Sequence, residues 1–280
     1  MKRAFAVLVV WVGLLRGGFC FFQLGHAINS QWGINSRSRC CGLKIERIPC
    51  RDQVLMTSQP VVILGGFLIG VEAYEPMRLW LEDSLHQPVV VVPATRLDWV
   101  LTSTAWGWRR LLDCTAALVD TVARKSTTGK VTLIGHSSGG VMLRLLLSPD
   151  PWMGRCYGAQ RWVDRLYTLG SPHTALRATP MRAFVDQRWP GAFFAPDVDY
   201  VAVAGALDVA EGFDLSRRVA KRSYTAINGD REAAGDGLVP VGSALLAGAQ
   251  PLLLPGVAHG GAFGPRWYGT PEVVERWWRG

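Results

Sequence analysis

Residues 131–140 read Val-Thr-Leu-Ile-Gly-His-Ser-Ser-Gly-Gly, and no other stretch of the chain limits its fold so tightly. A short apolar run, Val131 to Ile134, enters a Gly-x-Ser-x-Gly pentapeptide, and an amphipathic segment, Val141 to Leu147, leaves it. That order is strand, sharp turn, helix, with Ser137 at the apex. A serine on so tight a turn sits in a strained backbone, and small residues two before and two after it keep strand and helix from colliding. The helix then aims its positive N-terminal end at any oxyanion formed beside the hydroxyl. With 31 glycines in 280 residues, the pentapeptide alone is a weak signal. The strand before it, the helix after it and the second glycine at 140 supply the context, and they make Ser137 the candidate nucleophile.

A nucleophilic serine needs a base, and the base needs an orienting acid. With a serine on such an elbow, the acid and then the histidine follow it in the chain. Of the five histidines (His26, His86, His136, His173 and His259), only His173 and His259 follow Ser137. His259 comes after an apolar, strand-like run ending at Pro255, in a loop flanked by glycines, and is the expected base. His173, in Leu-Gly-Ser-Pro-His-Thr, is expected to shape a pocket wall. For the acid, Asp236 lies between two glycines that let its loop turn tightly, and it precedes His259 by 23 residues. Asp208 and Asp214 are rivals, since both follow the apolar run Tyr200 to Val203. Asp230, in Asn-Gly-Asp, reads as a turn residue. Acyl transfer also needs donors for the oxyanion. These are the amide after the nucleophile and one from the loop after an earlier strand. Ser138 supplies the first; Phe67, after Val61–Leu64 and Gly65-Gly66, is assigned the second.

Taken together, Gly65-Gly66-Phe67, Gly135-His136-Ser137-Ser138-Gly139-Gly140, Leu169-Gly170-Ser171-Pro172-His173, Asp236-Gly237-Leu238-Val239-Pro240 and Val257-Ala258-His259 resemble the lipase branch of the α/β-hydrolase superfamily. The similarity is greatest to the small lipase-like hydrolases of cyanobacteria and plastids, and it extends from about Pro60 to Trp278. It implies a triad of Ser137, Asp236 and His259, with the amides of Phe67 and Ser138 as oxyanion donors. Many lipases carry His-Gly where this chain has Gly65-Gly66. That histidine is an architectural hydrogen-bonder, so its absence bears on the rigidity of the loop. In such a fold the insertion after the strand ending near Leu169 commonly forms a lid, and here it is read either as a small lid shaping an acyl-binding pocket or as a helix packed on the core. Here it contains Met181, Phe184 and Val185 at helical spacing, with Trp189, Phe193 and Phe194 adding aromatic mass. His136, His173, Trp189 and Phe193 are the candidates for the substrate pocket.

The rest of the chain fits an α/β class with a mostly parallel central sheet flanked by helices. Strands are expected at 61–64, 89–93, 131–135, 166–169, 200–204 and 251–254. Helices are expected at 74–85, 106–125, 140–147, 214–222 and 271–278. Continuous runs such as Val89 to Val92 suit strands buried on both faces. The motifs span too much of the chain for two independent domains, so residues 56–280 are read as one hydrolase domain.

Residues 1–55 differ: they hold eight Lys/Arg against two Asp/Glu and so carry +6 of the net +8. The basic excess is a property of this tail, which leaves no case for a nucleic-acid surface on the body. The tail opens with Lys2-Arg3 and an apolar run to Leu15, too short for a comfortable span. It is read as a signal peptide, as a short membrane-associating leader, or as a dispensable stretch ahead of a working start near Met56. Four of the six cysteines fall in it; Cys114 and Cys156 are in the body, with no Cys-x-x-Cys pair for zinc. Cys114 is expected to be buried in a helix. The body reads as cytoplasmic, with membrane association through the N-terminal segment. No metal or organic cofactor is expected. The expected reaction is hydrolysis of a carboxylic ester, with a lipid or other apolar acyl ester as substrate. The alternatives are acyl transfer or thioester cleavage by the same residues, or a non-catalytic binding protein on a hydrolase scaffold.

Overall fold

The computed structural model describes residues 59–86, 88–207 and 214–279. The tail of residues 1–55, the start near Met56 and Asp208 lie outside that set, as does the side chain of Asp214. Six strands form one parallel sheet: β1 (Val61–Leu64), β2 (Val89–Val91), β3 (Val131–His136), β4 (Val163–Leu169), β5 (Asp199–Ala206) and β6 (Gln250–Pro255). Their spatial order is β2-β1-β3-β4-β5-β6. The chain therefore winds outward from β1 to β2, returns to place β3 on the other side of β1, and continues one way to β6. The order reverses between β1 and β3, and a crevice opens at the carboxyl ends of the strands at such a switch point.

Alternation along the strands sorts the core into two layers. Val62 and Leu64 join Leu133, Leu166 and Ala202 on one face. Val61 and Ile63 join Ile134, Tyr167, Val201 and Val203 on the other. The first face is covered by α2 (Arg96–Leu101), α3 (Ala105–Lys125), α4 (Ser138–Leu147) and α5 (Pro180–Arg188); the second by α1 (Glu75–Leu85) and α8 (Pro271–Trp277). Two further helices, α6 (Asp214–Asn228) and α7 (Val241–Ala244), lie between β5 and β6. In α3 the buried Trp108, Leu111, Leu112, Thr115, Val119 and Val122 recur at steps of three and four, the stripe a helix needs to pack on a sheet. Its start is set by Thr104, whose hydroxyl accepts from the Gly107 amide at 3.2 Å.

The expected strands all form, with β4 beginning three residues earlier and β2 ending two residues earlier than read. The helix α2 was not expected; it is nucleated by a capping box in which Thr95 and Asp98 satisfy each other's backbone amides. Cys114 is half-buried on α3 rather than buried, and Cys156 is exposed. Among the described residues, no helix is long and apolar enough to cross a membrane.

Candidate active site

The site forms where β3 passes into α4. Ser137 adopts φ 53° and ψ −125°, a conformation that L-residues rarely hold, and its amide is tied to the Leu169 carbonyl at 2.9 Å. The elbow closes only because its neighbours lack side chains. A Cβ at Gly135 would strike the backbone of Gly140, and one at Gly139 would strike the Gly65 carbonyl. The end of β3, the start of α4 and the β1 loop thus converge on one serine.

Two loops from farther along the sheet reach it. The loop after β6 carries His259, whose Nε2 lies 3.0 Å from Ser137 Oγ. The segment after α6 carries Asp236, whose Oδ2 lies 2.8 Å from His259 Nδ1. The two loops are also joined through the backbone, His259 N–H donating to the Asp236 carbonyl at 2.7 Å. A six-stranded parallel sheet in this order, with a strained serine elbow after β3 and a histidine after the last strand, has one familiar architecture. The chain has the α/β-hydrolase fold.

Asp236 is fully buried, and a buried carboxylate is tolerated only when its oxygens are satisfied. Its Oδ1 accepts from the amides of Leu238 (3.0 Å) and Val239 (2.7 Å), and its Oδ2 accepts from Tyr268 Oη (2.8 Å) besides His259. Burial and the adjacent carboxylate push the Tyr268 phenol well above its usual range, so it remains a donor. The Tyr268 oxygen in turn accepts from the Gly205 amide at 2.7 Å. Glycines at 170 and 205 make room: a Cβ at 170 would press on the Asp236 carboxylate and the Tyr268 ring, and one at 205 on the Val257 carbonyl, with Asp236 and the Tyr268 hydroxyl close by. Tyr268 carries no sequence signal: it stands outside every motif and at no fixed spacing from Asp236.

The β1 loop lies against the serine. A Cβ at Gly66 would sit 2.9 Å from Ser137 Cβ. The following turn is closed by Ile69 N–H on the Gly66 carbonyl at 3.1 Å, with Leu68 at φ 61°. Among the described residues no acceptor takes the amides of Phe67 or Ser138. The Phe67 side chain packs partly buried on the α2–α5 face.

The four expected pocket residues separate. His136 is fully buried behind the elbow with both ring nitrogens bonded, Nδ1 to Tyr74 Oη (2.8 Å) and Nε2 to the His259 carbonyl (2.9 Å). Burial, with His259 nearby, holds its basicity well below the ordinary imidazole value. His173 is likewise buried and bonded, to Arg144 Nη1 (3.3 Å) and Thr168 Oγ1 (3.1 Å), and burial beside Arg144 depresses its basicity too. Trp189 is only 2 % exposed and belongs to the core, its carbonyl accepting from Arg144. The reason is packing against α4: α5 turns Val185 and Met181 toward the core, and the chain leaving it carries Trp189 the same way. Phe193 is half-exposed, with its ring edge-on to Phe194. Phe263, which the sequence did not single out, stands edge-on to His259 with ring centroids 6.0 Å apart. Asp230 accepts from the Glu232 amide at 2.9 Å, as a turn aspartate does. Among the described residues no group of three or more His, Cys, Asp or Glu is arranged to hold a metal ion.

No protein-family model matches the chain, and neither does any curated protein. Among solved structures, the product of gene lin2722 from Listeria innocua aligns with 78 % of this chain and 91 % of its own, at 16 % identity and a TM-score of 0.46. Polyneuridine aldehyde esterase aligns with 48 % of this chain at 17 % identity and a TM-score of 0.32. Lipase B of Aspergillus fumigatus aligns with 53 % at 14 % identity and a TM-score of 0.38. The chain spans 49 % and 37 % of the length of these last two.

Proposed function

We propose that the protein is a serine hydrolase that cleaves carboxylic esters of apolar acids through an acyl-enzyme. The observation that carries this reading is the continuous contact from Ser137 Oγ to His259 Nε2 and from His259 Nδ1 to Asp236 Oδ2, at 3.0 and 2.8 Å. Ser137 Oγ attacks the ester carbonyl carbon while His259 Nε2 takes its proton. The negative oxygen is held by the amides of Phe67 and Ser138. Asp236 fixes the tautomer of His259 and stabilises the imidazolium. The tetrahedral adduct collapses, the C–O bond to the alcohol breaks, and the alcohol leaves with the proton from His259. Water, deprotonated by His259, then attacks the acyl carbon; the bond from that carbon to Ser137 Oγ breaks, Oγ takes the proton back from His259, and the acid is released.

The preference for an apolar acyl group draws support from the connections that leave the carboxyl ends of β2 and β4. They carry exposed Leu97, Val100, Trp106, Phe184 and Phe193. A lipid surface would be met at this end of the described domain; membrane association through residues 1–55 is a separate part of the proposal.

The test is hydrolysis of p-nitrophenyl esters from two to sixteen carbons. Ser137→Ala is expected to reduce kcat by about 10⁴-fold or more, and Phe193→Ala to raise KM for long chains more than for short ones. Residual activity of Ser137→Ala within tenfold of wild type would reject the nucleophile.

A further inference from the structure

We propose that Tyr74 is a positioning residue that locks the loop donating to the oxyanion onto the loop bearing the base, through His136. The proposal rests on the esterase reading above.

Tyr74 precedes α1 and is 1 % exposed. Its hydroxyl accepts from the Gly66 amide at 2.7 Å and lies 2.8 Å from His136 Nδ1. On the far side of the ring, His136 Nε2 lies 2.9 Å from the backbone oxygen of His259. A carbonyl can only accept, so Nε2 carries the proton; in a neutral imidazole Nδ1 is then the acceptor, and the phenol must donate to it. The run of bonds has one direction: Gly66 N–H to Tyr74, Tyr74 O–H to His136, His136 N–H to His259 C=O. The Tyr74 hydroxyl and the His136 ring each accept one bond and donate one, and every group in the run is buried.

The consequence falls on Phe67. Gly66 has the widest backbone freedom of any residue, yet nothing larger fits there because Ser137 Cβ is so close. Its rigidity has to be borrowed. Its amide is held by Tyr74 and its carbonyl by the Ile69 amide, so both sides of the residue are pinned. The planar trans peptide that follows carries the Phe67 N–H opposite the Gly66 carbonyl, so pinning that carbonyl fixes where the N–H points. At its other end the same run of bonds holds the backbone of His259. Oxyanion donor and base are thus set in one frame, where a misplacement of about 0.5 Å already degrades transition-state stabilisation.

Tyr74→Phe keeps the ring and removes the hydroxyl. With p-nitrophenyl butyrate, kcat per site titrated by a fluorophosphonate is expected to fall by about 10- to 100-fold while KM stays within about twofold. Affinity for a trifluoromethyl ketone of the same acyl length is expected to fall in parallel with kcat/KM. A purely structural role would lower the number of titratable sites and leave kcat per site unchanged. That outcome, with wild type reactive, overturns the proposal and leaves the esterase reading standing. A wild type inert to the fluorophosphonate would remove both. If Tyr74→Phe does not fold, ring ¹⁵N shifts of wild-type His136 decide: a neutral Nε2–H tautomer at pH 7 is expected, and an Nδ1–H tautomer or an imidazolium overturns the proposal.

Discussion

Asp236 shows at the scale of one residue what the sequence conveyed and what it could not. Its flanking glycines marked a loop able to aim a carboxylate, and the carboxylate lies 2.8 Å from His259. The cost of burying that charge was invisible, because its relief comes from Tyr268, 32 residues away in sequence. The same holds for the β1 loop. The missing histidine of the His-Gly pair suggested a looser turn, but Tyr74 supplies the bond from a different element. Long-range tyrosines leave no trace in local spacing. Tyr268→Phe removes a hydrogen bond to a charged group and leaves the buried Gly205 amide without its acceptor. A loss of about 1.5–3 kcal/mol in urea unfolding is expected, with kcat falling further than KM changes; a variant as stable as wild type would show that Asp236 does not depend on Tyr268.

At the scale of elements, apolar runs revealed strands without revealing their rank in the sheet. The runs 131–135 and 251–254 look alike in sequence, yet β3 is central with every residue buried and β6 is an edge strand with Leu253 51 % exposed. The difference follows from strand order, which depends on how crossovers pack and not on any one segment's composition. Leu133→Ala is therefore expected to cost about 2–5 kcal/mol, and Leu253→Ala less than about 1 kcal/mol. Equal losses in thermal or urea unfolding would contradict the topology. The segment after β4 divides in the same way. Helical spacing located α5, but which of its aromatics face the core depended on contacts with α4 and Arg144, so Trp189 is core and Phe193 is open.

At the scale of the whole molecule, folding requires two histidines to be neutral. His136 and His173 are both depressed, chiefly by burial, well below the imidazole value they regain when unfolded. Below about pH 6.5 the unfolded chain takes up protons that the folded chain does not, so stability falls as pH falls. The depressed carboxylates, such as Asp98 beside Thr95 and Arg110, act only at lower pH. Between pH 6.5 and 5 the decline should steepen toward about 2–3 kcal/mol per pH unit, two protons' worth, and a flat profile in urea unfolding would show that these histidines titrate normally. The proposed chemistry converges at one point of the molecule, the reversal of strand order between β1 and β3, where a strained serine meets a histidine carried from beyond the last strand. The most direct test of that convergence is to label the folded protein with a fluorophosphonate and map the adduct by mass spectrometry. A single adduct on Ser137, lost in His259→Ala, is the predicted result. Folded wild-type protein with no adduct on Ser137 would contradict the account.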